Sequence, residues 1–222
     1  MQGAIFDLDG TLLDSMPFWK DVVSIYMRKH GKTVSDEERE VIDRLSITKA
    51  TKFIKETYGL SETPEEIEKD ILNIIEANYK FNIPLKPYVH LLLTNLKKKG
   101  IKMCIASATP SYLIEEALLR HNIPDFFEFI ITVPEVGEGK NESAKIYEKA
   151  LKKLGCEKAE AYVFEDALHA VKMAKSAGFF VVGVQDAASK AHRDEIESEC
   201  DLYIKNFREF ISFKGYAKGA VK

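Results

Sequence analysis

Two aspartates lie two positions apart near the start of the chain, directly after a short apolar segment. Residues 3–6 read Gly-Ala-Ile-Phe, and Asp7, Asp9, Gly10 and Thr11 follow them. Such a run predicts a buried strand, and a strand ending at Asp7 leaves both carboxylates in the crevice where open α/β sheets bind ligands. There they can act as a nucleophile and as a general acid/base. A surface aspartate turn or a helix cap is the alternative interpretation.

A hydroxyl group closes a second apolar segment. Residues 102–106 run into Ser107, and Ala108, Thr109 and Pro110 lead into a predicted helix. Because backbone amides are free at a helix N-terminus, Ser107 and the residues after it form a candidate anion site. Simple capping of the helix is the alternative.

A lysine and an acidic pair complete the set. Lys140 follows Gly-Glu-Gly at 137–139, where it could pair with phosphate and with Asp7; a solvated lysine is the alternative. Glu165 and Asp166 close another apolar segment and open a helix. Mg²⁺ takes oxygen ligands and often only one or two carboxylates, so this pair predicts a magnesium site. First-turn acids that stabilise a helix dipole are the alternative.

The elements that must position these groups alternate along the chain. Continuous apolar runs predict strands at 3–6, 102–106, 129–132, 161–164, 179–184 and 202–204. Helical patterns lie between them at 88–99, 110–121, 141–154 and 167–177. This alternation predicts the α/β class, a Rossmann-like, doubly wound and mostly parallel sheet.

One long segment contains no predicted strand. From about Ser15 to Phe81 the pattern is helical, with capping-box spacing at 35–38 and 63–66. We therefore predict an all-helical cap domain at residues 15–83, inserted into a Rossmann-like core of residues 1–14 and 84–222.

Composition limits the partners. The 222 residues are 45% hydrophobic and 30% charged, and the net charge of −3 gives no reason to expect nucleic acid. No apolar run approaches the ~20 residues that span a bilayer, so we expect no membrane partner. Three widely spaced cysteines favour reduced thiols in the cytoplasm. A strand that starts near Met1 leaves no room for a signal peptide.

Taken in order, the polar groups resemble the motifs of the haloacid dehalogenase (HAD) superfamily of phosphohydrolases. The resemblance rests on Asp-Leu-Asp-Gly-Thr-Leu at 7–12, on Ser107, on Lys140 and on Glu165 with Asp166, and it covers nearly the whole chain. The helical insert is similar to the C1 type of cap found in phosphoglycolate phosphatase and β-phosphoglucomutase relatives.

The resemblance implies a phosphatase mechanism. Asp7 would attack phosphorus and become an aspartyl-phosphate, while Asp9 would protonate the leaving alcohol and then take a proton from water. Magnesium would be held by Asp7, the Asp9 carbonyl and Asp166, with Glu165 close by. The candidate substrate- and phosphate-binding residues are Asp7, Gly10, Thr11, Ser107, Ala108, Lys140 and, in the cap, Lys49.

Three functions stay open within this resemblance. Asp9 favours hydrolysis of a small phosphorylated metabolite, because an alcohol leaving group needs a proton and a halide does not. A phosphomutase is the alternative: Lys49 falls where β-phosphoglucomutases carry a phosphate-binding arginine, but Trp19 stands in place of their cap-hinge histidine. A non-catalytic phospholigand-binding protein is the third, and the intact pair of Asp7 and Asp9 argues against it.

Overall fold

The described part of the chain forms two compact units. The computed structural model describes residues 1–43, 45 and 47–213, without the side chains of Glu40, Asp43, Ile47 and Thr48. The core unit comprises Met1–Met16 and the chain from Ile83 onward, and the cap unit comprises Pro17–Asn82. Ser46 in the predicted cap loop, and residues 214–222 at the end of the predicted core, lie outside the described residues.

The core unit is built on one parallel sheet. Its described strands are β1 Gly3–Phe6, β2 Lys102–Ser107, β3 Phe129–Thr132, β4 Ala161–Glu165, β5 Phe180–Val184 and β6 Leu202–Ile204. They pair in the order β3-β2-β1-β4-β5-β6, every pair parallel. The chain therefore winds one way from β1 through β2 to β3 and the other way from β4 to β6. This confirms the predicted doubly wound α/β sheet, with its switch point between β1 and β4.

The central strands are buried on both faces. Every residue of β1 and of β4 is buried, which explains why their sequences are continuously apolar rather than alternating. Phe6 of β1 stacks on Phe164 of β4, with ring centroids 4.4 Å apart. Because Phe6 and Phe164 are also register partners, the residues that follow them, Asp7 and Glu165, lie at the same level of the sheet.

All the secondary-structure elements of the cap unit are helices within its described residues. Its helices are α1 Met16–Lys29, α2 Asp36–Asp43, α3 Ile47–Tyr58 and α4 Pro64–Phe81. The predicted capping box at α4 is present, since the Thr63 hydroxyl accepts from the Glu66 amide and the Glu66 carboxylate accepts from the Thr63 amide. Ile67, Ile71, Ile75 and Tyr79 recur every four residues along α4, and this helical face is buried.

Helices flank the sheet in the core unit. They are α5 Val89–Lys98, α6 Ser111–Arg120, α7 Val133–Val136, α8 Lys145–Leu154, α9 Leu168–Ser176, α10 Arg193–Glu199 and α11 Phe207–Ser212. The predicted start of α8 at Asn141 is wrong, because the Glu142 and Ser143 amides donate to the Gly139 carbonyl in a turn that precedes the helix. Within the described residues, no helix is long and apolar enough to cross a membrane.

Candidate active site

The ends of the central strands bring the predicted polar residues together. Asp7 follows β1 directly, Ser107 is the last residue of β2, and Glu165 is the last residue of β4 with Asp166 after it. All four side chains are buried. The carboxyl ends of parallel strands meet at one edge of the sheet, so these groups share the crevice beside the switch point.

Lys140 reaches this crevice from the loop between α7 and α8. Gly137 ends α7 with a φ of 81°, a left-handed conformation that glycine adopts without steric cost. The Lys140 ammonium lies 2.5 Å from Asp7 Oδ1 and 2.6 Å from Glu165 Oε1, and its side chain is only 7% exposed. The solvated alternative for Lys140 is therefore wrong, since the ammonium is held between two buried carboxylates.

Three buried carboxylates face one another at this point. Asp7, Glu165 and Asp166 each offer an oxygen, and these oxygens lie within 4.8 Å of one another. Burial raises the pKa of Asp7 well above its usual range, against the attraction of Lys140. Burial and the Glu165 charge raise the pKa of Asp166 to about 7. Lys140 contacts only two of these three carboxylates, and the all-oxygen donor set fits a hard divalent cation such as Mg²⁺.

Gly10 and Thr11 lie against the Asp166 carboxylate. The Thr11 hydroxyl donates to Asp166 Oδ1 at 3.1 Å, and its side chain is fully buried. Gly10 has a φ of 79°, and a Cβ at this position would overlap the Asp166 carboxylate. Only glycine therefore allows the loop after β1 to approach the carboxylate so closely. The Thr11 hydroxyl, predicted to bind phosphate, therefore donates its hydrogen bond to the Asp166 carboxylate.

Asp9 is held apart from the three carboxylates. Its side chain is half-buried, and Oδ2 accepts a hydrogen bond from the Thr109 hydroxyl. The Thr109 amide in turn donates to Ser107 Oγ at 3.1 Å, while Ala108 between them is exposed. One turn after β2 therefore links the candidate anion site to the candidate acid/base. Thr109 was not predicted, although it follows Ser107 by only two residues.

Tyr147 is a second residue that the sequence did not single out. Its hydroxyl donates to Glu165 Oε1 at 2.7 Å, and the ring lies beneath the Lys140 ammonium, 5.7 Å from the centroid. Burial and the Glu165 charge raise the pKa of Tyr147 well above its usual range, so the hydroxyl keeps its proton and acts as a donor. Tyr147 lies on the buried stripe of α8, where an aromatic residue is indistinguishable from ordinary core in the sequence.

Lys49, the predicted substrate-binding residue of the insert, lies in the cap unit. It is exposed on the first turn of α3. Trp19, at the position of the mutase histidine, donates its indole N–H to the Tyr79 hydroxyl at 3.0 Å. This bond joins α1 to α4 inside the cap unit, so the indole has a structural partner.

A doubly wound parallel sheet with three carboxylates and a buried lysine at its switch point defines a Rossmann-like hydrolase core. The sequence profile of the haloacid dehalogenase-like hydrolases matches residues 1–178. The chain therefore belongs to this family, which confirms both the predicted family and the prediction of a hydrolase.

Similar proteins include two phosphatases that match most of the chain. Hexitol phosphatase A of Escherichia coli strain K12 is 31% identical over 198 residues, covering 88% of each chain. Phosphorylated carbohydrates phosphatase of Thermotoga maritima is 26% identical over 178 residues, covering 80% of this chain and 82% of the relative. The crystal structure of a candidate β-phosphoglucomutase from Thermotoga maritima has a TM-score of 0.82 at 24% identity, covering 92% of this chain and 94% of the other. At that identity the last comparison shows the fold alone.

Proposed function

We propose that the protein is a magnesium-dependent phosphatase that hydrolyses small-molecule phosphate monoesters through an aspartyl-phosphate on Asp7. The observation that carries this proposal is the placement of the Lys140 ammonium 2.5 Å from Asp7 Oδ1, beside a cluster of three carboxylates. A carboxylate that must approach an anionic phosphoryl group needs nearby positive charge, and phosphoryl transfer is catalysed mainly by such positioning and charge neutralisation.

The metal would be held by Asp7 and Asp166, with the Asp9 carbonyl as the family resemblance implies and with Glu165 beside them. When bound, Mg²⁺ would neutralise and orient the phosphoryl oxygens next to the nucleophile. One oxygen of Glu165 already accepts from both Lys140 and Tyr147. We therefore assign Glu165 chiefly to fixing Lys140, and Asp166, whose Oδ1 is oriented by Thr11, to the metal.

The first half of the reaction transfers the phosphoryl group to the protein. A carboxylate oxygen of Asp7 attacks phosphorus, the bond from phosphorus to the alcohol oxygen breaks, and Asp9 gives its proton to the departing alcohol. Ser107 Oγ and the amide of Ala108 would bind the phosphoryl oxygens. Lys140 favours the ionised form of Asp7 against the effect of burial and neutralises charge as the new bond forms.

The second half releases phosphate. Asp9, now ionised, takes a proton from a water molecule as the water attacks phosphorus, and the bond from Asp7 to phosphorus breaks. Inorganic phosphate leaves, and both aspartates return to their starting states. The half-buried position of Asp9 suits this exchange of protons, and the Thr109 hydroxyl orients its carboxylate.

The substrates we propose are phosphorylated carbohydrates or polyols. Two relatives that cover most of the chain are named as a hexitol phosphatase and as a phosphorylated carbohydrates phosphatase. Transfer to a sugar, as in a mutase, is less well supported because Trp19 stands where those enzymes carry a histidine and is bonded to Tyr79. Release of inorganic phosphate rather than an isomerised sugar phosphate would separate the two.

Replacement of the nucleophile tests the proposal. Asp7→Asn should abolish turnover on a panel of sugar and polyol phosphates while the protein stays folded by circular dichroism. The matched control is Asp14→Asn, an exposed aspartate seven residues later in the same segment, which should keep full activity. Turnover by a folded Asp7→Asn protein would refute the covalent mechanism.

A further inference from the structure

A second buried ion pair lies outside the group of residues discussed so far. Lys86 Nζ is 2.8 Å from Asp186 Oδ2, and the two side chains are 9% and 2% exposed. The ammonium also donates to the Gln185 carbonyl at 2.6 Å, while Asp186 Oδ1 accepts from the Ala188 amide at 2.7 Å. The desolvation cost of burying two charges offsets most of the free energy gained by pairing them. Stability alone therefore does not account for this ion pair.

The pair lies at the same edge of the sheet as the carboxylate cluster. Asp186 follows the end of β5, and β5 pairs with β4 so that Gly183 stands opposite Glu165. Lys86 lies in the segment that re-enters the core unit, and its amide donates to the Leu12 carbonyl at 2.9 Å, next to Thr11. The backbone of Lys86 is therefore tied to the loop that carries Thr11, the residue that donates to Asp166.

Both charges act on Asp166. Lys86 exerts an attraction on the Asp166 carboxylate, and Asp186 exerts a repulsion. As long as the two are paired, their effects oppose each other. Without Asp186, Lys86 would be a buried cation in need of a carboxylate, and Asp166 is one on which it already acts.

We propose that Asp186 is a positioning residue for the metal site: it holds and neutralises the Lys86 ammonium, which would otherwise pair with Asp166 and compete with Mg²⁺. The inference rests on the proposed function, since it assumes that Asp166 is a metal ligand. Lys86 remains in place because it ties the loop after β5 to the segment beside Leu12. Asp186 keeps the Lys86 ammonium from pairing with Asp166, the proposed metal ligand.

The test is the magnesium affinity of the metal-free full chain, measured by titration calorimetry without substrate. Asp186→Asn keeps the shape and the acceptor oxygen but removes the charge, and it should weaken Mg²⁺ binding about 10- to 100-fold, the usual effect of disturbing a partner behind a ligand. Adding Lys86→Met to Asp186→Asn removes the competing cation and should restore wild-type affinity. Lys86→Met alone should bind Mg²⁺ at least as tightly as the wild type.

The pattern across variants separates this role from a structural brace. If the ion pair only stabilised the fold, Lys86→Met would weaken Mg²⁺ binding, and the double variant would bind Mg²⁺ no more tightly than Asp186→Asn. Either result would overturn the inference. Glu195→Gln, which removes the anion of an exposed pair with Lys172, is the control and should leave the affinity unchanged. Wild-type protein that binds no Mg²⁺ would overturn the proposed metal site as well, whereas normal binding by Asp186→Asn would overturn this inference alone.

Discussion

Lys140 Nζ donates to Asp7 Oδ1 at 2.5 Å, although the two residues are 133 positions apart in the sequence. Both side chains are buried, and burial alone would favour the protonated, unreactive form of Asp7. Lys140 opposes that tendency, and Glu165 with Tyr147 holds Lys140 in place. Two distant segments of the chain thus bring together the proposed nucleophile and a cation that favours its ionised form.

Removal of this cation should slow the chemistry. We expect Lys140→Met to lower kcat about 100- to 1,000-fold, the usual cost of losing one preorganised group that stabilises transition-state charge. The activity that remains should rise only at higher pH than in the wild type, because the pKa of Asp7 loses the attraction that opposes its rise. Lys145→Met, at an exposed lysine at the start of α8, is the matched control. Equal kinetics for the two variants would contradict the role of Lys140.

Stabilisation by magnesium should depend on pH. The pKa of Asp166 is raised to about 7 in the metal-free fold, so the fold binds this proton more tightly than the unfolded chain does. The metal-free protein should therefore lose stability as pH rises from about 4 through about 7. Because Mg²⁺ binds the ionised carboxylate, the rise in Tm on adding Mg²⁺ should grow over the same interval.

Thermal unfolding with Mg²⁺ or with chelator, from about pH 5.5 to about pH 8.5, would measure this effect. Asp166→Asn has no such proton to lose and should show a smaller dependence on pH. A magnesium shift that is the same at every pH in the wild type would contradict the assignment of Asp166 as a ligand.

The sequence predicts which strand ends bring the polar residues together, because those ends follow from local patterns. Asp7, Ser107 and Glu165 each end or follow an apolar run, and parallel strands must bring such ends together. Lys86 and Asp186 were not predicted, because their pairing depends on which side chains the packed segments place face to face. The start of α8 was also missed, since Asn141 is a good cap residue whose turn is held instead by the Gly139 carbonyl.

Tyr88 stores backbone strain that a single substitution should release. It precedes α5 with a φ of 68°, in the left-handed region that disfavours a side chain with Cβ. Its side chain is 44% exposed. Tyr88→Gly should therefore raise the free energy of unfolding by about 1 kcal/mol in denaturant titrations. Asn122→Gly is the control, because asparagine tolerates its φ of 55° and should gain less. A loss of stability in Tyr88→Gly would show that its ring contacts outweigh the strain.

Lys49 should govern substrate choice rather than chemistry. If it contacts the body of the substrate, Lys49→Ala should raise KM for the best sugar phosphate by about tenfold and change kinetics on an aryl phosphate little. Lys52→Ala, at another exposed lysine of α3, should affect neither substrate. Equal effects on both substrates, or none, would show that Lys49 is an ordinary surface lysine of the cap.

The central claim is a phosphoryl group carried by Asp7, and the Asp9→Asn variant tests it most directly. An aryl alcohol departs without help from an acid, whereas attack by water still needs Asp9 as a base, so this variant should stall after the first half of the reaction. With an aryl phosphate and Mg²⁺, we expect a burst of one aryl alcohol per protein molecule and, by mass spectrometry, one phosphoryl group on the peptide that contains Asp7. Steady turnover without a burst and without a phosphorylated peptide would contradict the covalent mechanism.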